Sequence, residues 1–215
     1  MSDTKQNILL VALDLFSRNG FTAVSIRDIC RRVGIKESSV YYHFQNKQSI
    51  LNELLHQFEE TADNLMTQLE QAISHSSGFS DDNFFDKTCN YFFEQYLMDE
   101  FCNKIMRLLL MEQFHDPEMK KRYDYWVFEQ PLKFQTKIFS MLTMILGMKN
   151  VDCEYLAIKF YAPILLFTQR WLFCGQLTYK NRQAFREAAD QHIQSFFQEL
   201  NQHILFQADN SADRR

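Results

Sequence analysis

The residues with the clearest chemical potential lie in one short polar run, from Lys36 to Lys47. This run contains two lysines, two serines, two adjacent tyrosines and a histidine, and all of these side chains can donate hydrogen bonds to anionic or carbonyl oxygens. Side chains of these types supply most protein contacts to nucleic-acid phosphates and base edges. The run is too short to form a core of its own, so neighbouring elements must position it.

Motifs of catalytic or metal-binding chemistry are absent from the sequence. There is no HExxH, no phosphate-binding loop and no GxSxG. The five cysteines are scattered, without a CxxC pair, which argues against both a disulfide framework and a zinc site. We therefore expect no cofactor and no metal, and a helical enzyme remains the least favoured interpretation.

The elements around the polar run have the pattern of a helix-turn-helix. Ser25 and Asp28 have the spacing of a capping box at the start of one short helix. Gly34 marks the turn after it, where a positive φ is needed. In the next helix Val40 and Phe44 can pack inward, which leaves the polar side chains exposed. The second helix of such a unit enters the major groove of DNA.

Helical periodicity continues through the rest of the chain, and no alternation of period two persists. We expect an all-α fold in which a three-helix head is joined through a long fourth helix to a C-terminal bundle. Pro131 and Pro163 should kink the seventh and eighth helices. Nine helices are predicted, at about 4–19, 25–32, 36–43, 46–74, 81–98, 100–114, 116–146, 152–174 and 181–205. The predicted domains are 1–50 for DNA binding, 51–206 for ligand binding and dimerisation, and 207–215 as a disordered tail.

The distribution of charge fits a protein that touches phosphate with one end only. Residues 1–55 carry seven Lys or Arg and five Asp or Glu, whereas the whole chain has a net charge of −4. A mildly basic head on an acidic body is therefore predicted. The sequence has no targeting segment and no apolar stretch that would span a membrane, so we expect a soluble cytoplasmic protein.

The N-terminal segment closely resembles the TetR (tetracycline-repressor-like) family of bacterial regulators. The resemblance rests on many residues at fixed spacings, which makes it more specific than a single short motif: Phe16, Gly20, Phe21, Val24, Ser25, Ile26, Ile29, Val33, Gly34, Ile35, Ser38, Ser39, Val40, Tyr41, His43, Phe44, Lys47 and Leu51. It covers about the first 55 residues. It implies DNA contacts at Ser25, Arg27, Lys36, Ser38, Ser39, Tyr41, Tyr42, His43 and Lys47, with Lys47 on a phosphate. Glu37 could accept from a cytosine amino group or face solvent.

Aromatic and methionine side chains are abundant between residues 81 and 146. In the resembled family such helices enclose an effector cavity, which implies an apolar or aromatic ligand. The alternative is an ordinary packed core. The candidate wall residues are Phe92, Phe93, Tyr96, Met106, Met111, Phe114, Tyr123 and Trp126.

The last two predicted helices carry a wide apolar stripe with spacings of three and four. The resemblance implies that they pair with their copies in a second subunit as a four-helix bundle. Alternatively, the stripe packs wholly on its own subunit. The predicted interface residues are Tyr161, Leu165, Thr168, Phe185, Ala189, His192, Ile193, Phe196, Phe197 and Leu200.

The sequence as a whole therefore predicts a homodimeric regulator of double-stranded DNA. We expect a repressor that a small-molecule effector releases from a palindromic operator. An alternative within the DNA-binding class has no small-molecule effector and is either controlled by a protein partner or architectural.

Overall fold

The computed structural model describes the backbone of residues 2–75, 84–148 and 150–212, and the side chains of residues 4–72, 87–148 and 150–202. Every regular element in these ranges is a helix. The α-helices are α1 (Ser2–Asn19), α2 (Ile26–Val33), α3 (Glu37–His43), α4 (Lys47–His75), α5 (Phe84–Phe92), α6 (Glu100–Glu112), α7 (Pro117–Tyr123), α8 (Gln130–Ile145), α9 (Cys153–Phe167) and α10 (Tyr179–Ala212). Among the described residues, no helix combines the length and apolar character needed to cross a bilayer.

Three π-helical segments continue α5, α7 and α9: Phe93–Leu97, Asp124–Glu129 and Thr168–Phe173. When these are joined to their neighbours, the described chain contains the nine predicted helical segments, so the all-α expectation is confirmed. The π turns themselves were not predicted. One ends two residues before Pro131, whose missing N–H would have bonded to a carbonyl within that segment, and another begins five residues after Pro163.

The C-terminal helix is longer than the sequence predicts. It continues to Ala212, past the start of the tail expected at residue 207. Residues 213–215 lie outside the described residues.

The first compact unit contains α1 to α4 and the described chain from α5 to Phe128. Helix α1 is its central element, because it packs against α2, α3, α4 and α6. Its apolar face is fully buried, with Ile8, Leu13 and Phe16 all excluded from solvent. Helix α1 therefore supports the helix-turn-helix and also contacts α6.

The second unit, from Glu129 onward, is a bundle of α8, α9 and α10. Its core is aromatic: the ring of Phe160 lies 5.6 Å from that of Phe139 and 5.2 Å from that of Phe196. His192 Nε2 lies 2.8 Å from the carbonyl oxygen of Phe160, which fixes α10 on α9. These contacts join all three helices within one chain.

This packing corrects the predicted dimer interface. Seven of its residues are buried within their own chain, because the apolar stripe of α10 packs on α9 of the same subunit: Tyr161, Thr168, Phe185, Ala189, Ile193, Phe196 and Leu200. Leu165, His192 and Phe197 are half-buried. The alternative of intramolecular packing is thus right for most of the stripe, since periodicity indicates a buried face without identifying what covers it.

We expect Phe160→Ala to lower the free energy of unfolding by about 3–5 kcal/mol, because it leaves a cavity at the centre of the aromatic core. Urea denaturation at fixed protein concentration measures this. Phe114→Ala is the matched control, because Phe114 is 80% exposed and its loss should cost less than about 0.5 kcal/mol. Equal losses in the two variants would contradict this account of the core.

Candidate nucleic-acid interface

The start of α2 is fixed by the predicted capping box. Ser25 Oγ accepts the backbone N–H of Asp28 at 3.2 Å, and Asp28 Oδ2 accepts the backbone N–H of Ser25 at 2.9 Å. The hydrogen bonds from Ser25 lower the pKa of the Asp28 carboxyl. The hydroxyl of Ser25 is therefore engaged in shaping the helix terminus, while the residue remains exposed to solvent.

The turn between α2 and α3 depends on Gly34, whose φ is +81°. Its N–H donates to the carbonyl of Cys30 at 2.8 Å and closes α2 in the left-handed conformation that glycine adopts without a Cβ clash. Helix α3 then starts within three residues. The two helices are thus joined by a short, rigid turn.

Helix α3 turns one narrow face inward and the rest outward. Val40 and Phe44 are buried, as predicted. Tyr42 is 79% exposed and Tyr41 is 53% exposed. The remaining predicted contacts of this helix are exposed or half-exposed: Lys36, Ser38, Ser39 and His43. This surface offers hydroxyl, amine and imidazole groups of the kind that bind phosphates and base edges.

An ion pair connects α2 with α3 on this surface. Arg27 Nε donates to Glu37 Oε1 at 3.0 Å; the Arg27 side chain is largely exposed and that of Glu37 is half-exposed. From the sequence, Glu37 could either accept a hydrogen bond from cytosine or face solvent. The structure adds a third role, as the ion-pair partner of Arg27. Because exposed pairs contribute only about 0–1 kcal/mol, Arg27 can exchange this carboxylate for a DNA phosphate at little cost.

Lys47, predicted as a phosphate ligand, makes its contacts in this structure within the protein. Its Nζ donates to the carbonyl oxygens of Phe21 and Val24, each at 2.7 Å, and lies 4.2 Å from the centre of the Phe21 ring. Desolvation lowers the pKa of this ammonium, and the negative charge of Glu112 offsets part of that effect. Lys47 therefore holds the loop between α1 and α2, because the carbonyls of that loop compete with any external anion.

The α1–α2 loop is also bonded to α6, a contact that the sequence did not indicate. Glu112 Oε1 accepts the backbone N–H of Phe21 at 2.8 Å. Earlier on α6, Lys104 Nζ lies 3.2 Å from Asp14 Oδ1 of α1. Burial raises the pKa of Asp14, but its contacts with Lys104 and Arg18 outweigh burial and lower it. No local motif marks such contacts, because the partners are about ninety residues apart.

The predicted ligand-contacting aromatics form a packed cluster with Phe58, which the sequence analysis did not select. The ring of Phe58 lies 5.5 Å from that of Trp126 and 6.3 Å from that of Tyr96. The Tyr96 hydroxyl donates to the carbonyl of Trp126 at 2.7 Å. Phe92, Phe93, Met106 and Tyr123 are also buried, and Met111 is half-buried.

Phe114 does not belong to this group, and its prediction as a wall residue is wrong. It lies beyond the end of α6 and is 80% exposed, so it lines no enclosed cavity.

Comparison with known proteins identifies the N-terminal segment. Residues 8–54 match a family profile described as "Bacterial regulatory proteins, tetR family". The transcriptional regulator AcrR of Shigella flexneri is 36% identical over 52 residues, which is 24% of each chain. The transcriptional repressor KstR2 of Rhodococcus jostii is 37% identical over 57 residues, 26% of this chain and 28% of the relative. The aligned segments thus span only about a quarter of these relatives' length.

Solved structures resemble the chain over most of its length. A TetR-family transcriptional regulator from Mesorhizobium loti matches with a TM-score of 0.63 at 20% identity, covering 90% of this chain and 94% of that one. The SmeT–triclosan complex matches with a TM-score of 0.62 at 19% identity, covering 89% and 90%. At this level of identity the likeness establishes the fold.

Two lysine variants test the assignment of charges on this surface. Lys36→Ala should lower the slope of log affinity against log salt by about one, because an exposed lysine on a phosphate releases about one counterion. Lys47→Ala should leave the slope unchanged and lower the melting temperature, because its ammonium is held by two carbonyls. Duplex binding at several salt concentrations measures both slopes. A reduced salt slope for Lys47→Ala would mean that Lys47 does contact a phosphate.

Proposed function

We propose that the chain is a member of the TetR family of bacterial regulatory proteins, and that it is a dimeric transcriptional repressor that a small molecule releases from a palindromic operator. The exposed polar surface of α3 carries the proposal, because a helix that buries only Val40 within its own length presents its other side chains to a groove. The matched relatives are transcriptional regulators, and we propose that this chain also acts by binding in the cytoplasm, without catalysis.

The proposed DNA contacts are made by two groups of residues. Lys36, Ser38, Tyr41 and Tyr42 would contact base edges and the adjacent backbone, because they are exposed along α3 and just before it. Arg27 would bind a phosphate after leaving Glu37. We leave four predicted residues out of the proposed contacts. Ser25 is bonded to Asp28, Ser39 and His43 are only half-exposed, and Lys47 is assigned a structural role.

Dimerisation is proposed through the outer face of α9. Tyr155, Ile158, Ala162 and Leu166 follow one another at intervals of three and four residues and are all exposed, Tyr155 and Leu166 at 63% each. Such a continuous apolar stripe is typical of a surface that is covered in the assembled protein. We propose that a second copy of the chain covers this stripe, because a single short recognition helix makes too few base contacts for specific binding.

The effector is proposed to be apolar or aromatic and to bind in the region of the aromatic cluster around Tyr96 and Trp126. The supporting observations are the chemistry of that cluster and the SmeT–triclosan complex, in which a protein of this fold holds an aromatic compound. We propose that residues 1–50 bind DNA and that residues 51–206 bind the effector and the second subunit. A ligand that binds more tightly to a dimer conformation in which the two helix-turn-helix units are not spaced for the operator would shift the population toward that conformation and release the DNA.

Selection of bound sites from random duplexes tests the function. We expect a palindrome whose half-sites lie about 10–10.5 base pairs apart, since two equivalent heads meet successive major grooves. Ser38→Glu should abolish binding, because it adds an acid to the DNA-facing surface. Ser140→Glu, the same change at an exposed serine of α8, is the control and should bind normally. Recovery of no enriched sequence, even at low salt, would contradict the proposed function.

Leu166→Glu should convert the dimer to a monomer, because two buried charges would face each other at the α9 stripe. Sedimentation distinguishes a monomer of 25.8 kDa from a dimer. Leu10→Glu is the control, because it places the same charge on an exposed leucine of α1. An intact dimer in the Leu166 variant would place the interface elsewhere.

A further inference from the structure

The α1–α2 loop is bonded on two sides by charged side chains of other helices. Glu112, the last residue of α6, is only 8% exposed, and its Oε1 accepts the backbone N–H of Phe21. Lys47, at the start of α4, donates to the carbonyl of the same residue. The backbone of Phe21 thus donates its N–H to the carboxylate of Glu112 and accepts at its carbonyl from the ammonium of Lys47.

The backbone of the loop is shaped for this contact. Gly20 closes α1 by donating to the carbonyl of Phe16 at 2.9 Å and has a φ of +82°. A Cβ at position 20 would lie 3.0 Å from Glu112 Oε1, tighter than an ordinary carbon–oxygen contact. Glycine is therefore needed both for its conformation and for the close approach of the carboxylate.

The two charged side chains also stabilise one another. A buried carboxylate is costly unless it is hydrogen-bonded and near a compensating charge. Here the Phe21 N–H supplies the hydrogen bond, and the electrostatic attraction of Lys47 supplies the compensation. The ring of Phe21 lies against both the Lys47 ammonium and the ring of Phe16, 5.2 Å away, so the loop has little freedom to shift.

The loop leads directly into the DNA-facing elements. Lys47 also holds the carbonyl of Val24, and Ser25, the next residue, caps α2. We propose that Glu112 is a positioning residue for DNA recognition: its hydrogen bond to Phe21 fixes the loop from which α2 starts, and so fixes α2 and α3. This role rests on the proposed function, and it places a determinant of operator affinity on α6, outside the segment that touches DNA.

Two substitutions separate the hydrogen bond from the charge. Glu112→Gln retains an acceptor oxygen at the same reach and removes the charge, whereas Glu112→Asp retains the charge and withdraws the oxygen by one methylene. We expect the aspartate variant to lose affinity for the selected operator roughly tenfold, within the usual range of coupling between separate sites. The glutamine variant should bind like the wild type. The salt slope should be unchanged in both, because no phosphate contact is removed.

Hydrogen exchange at the Phe21 amide provides a readout that does not need DNA. Exchange should be faster in Glu112→Asp and unchanged in Glu112→Gln. Glu118→Asp and Glu118→Gln are the controls, because Glu118 is an exposed glutamate of α7. They should alter neither exchange nor affinity.

Each outcome has a distinct meaning. If the aspartate variant binds the operator as tightly as the wild type, or if only the glutamine variant loses affinity, the positioning role of this hydrogen bond is overturned. A changed salt slope in the aspartate variant overturns it as well. If the wild-type protein itself binds no duplex, the proposed function fails, and the amide exchange then tests only the bond between Glu112 and the loop.

Discussion

A helix of seven residues cannot be stable by itself, and this constraint governs the N-terminal part of the molecule. Helix α3 has too few internal hydrogen bonds to offset the cost of helix nucleation, so it depends on packing. Most of that packing comes from Val40 and from Phe44 directly after the helix, because the other side chains of α3 are exposed or half-exposed. The elements beneath it must therefore be rigid, and the capping box, the Gly34 turn and the two bonds on Phe21 all serve this purpose.

The electrostatics of this region are balanced within the protein itself. Arg18 and Arg32 both pair with Asp14, Arg31 pairs with Asp28 and Arg27 with Glu37. Such pairing keeps the surface only mildly basic. Under the proposed function, this surface would attract DNA of any sequence only modestly, so binding would depend more on shape and base contacts. A weakly attracting head would gain most from a second copy, because two linked heads reinforce each other through effective concentration.

The sequence predicted what depends on neighbouring residues and missed what depends on distant ones. The capping box of Ser25 and Asp28, the turn at Gly34 and the inward face of α3 are local, so spacing alone was sufficient. The inward turn of Lys47 was missed because its acceptors are carbonyls, which every residue carries and no sequence pattern marks. Glu112 was missed because its partner is distant along the chain. The α10 stripe was assigned to a partner subunit because amphipathic spacing is identical for intramolecular and intermolecular faces.

The packing of α10 has a consequence for how two copies can associate. Since its apolar stripe is buried in its own chain, its outer side presents Gln191, Gln194 and Gln198. A stable interface requires about 1,200–2,000 Å² of total buried surface, more than four side chains of α9 provide in each copy. In the proposed dimer, the glutamine-rich side of α10 would form a polar rim beside the apolar stripe of α9. Because the buried stripe of α10 packs on α9, and the Lys159–Glu199 ion pair joins the same two helices at 2.7 Å, they would present that combined surface as one body.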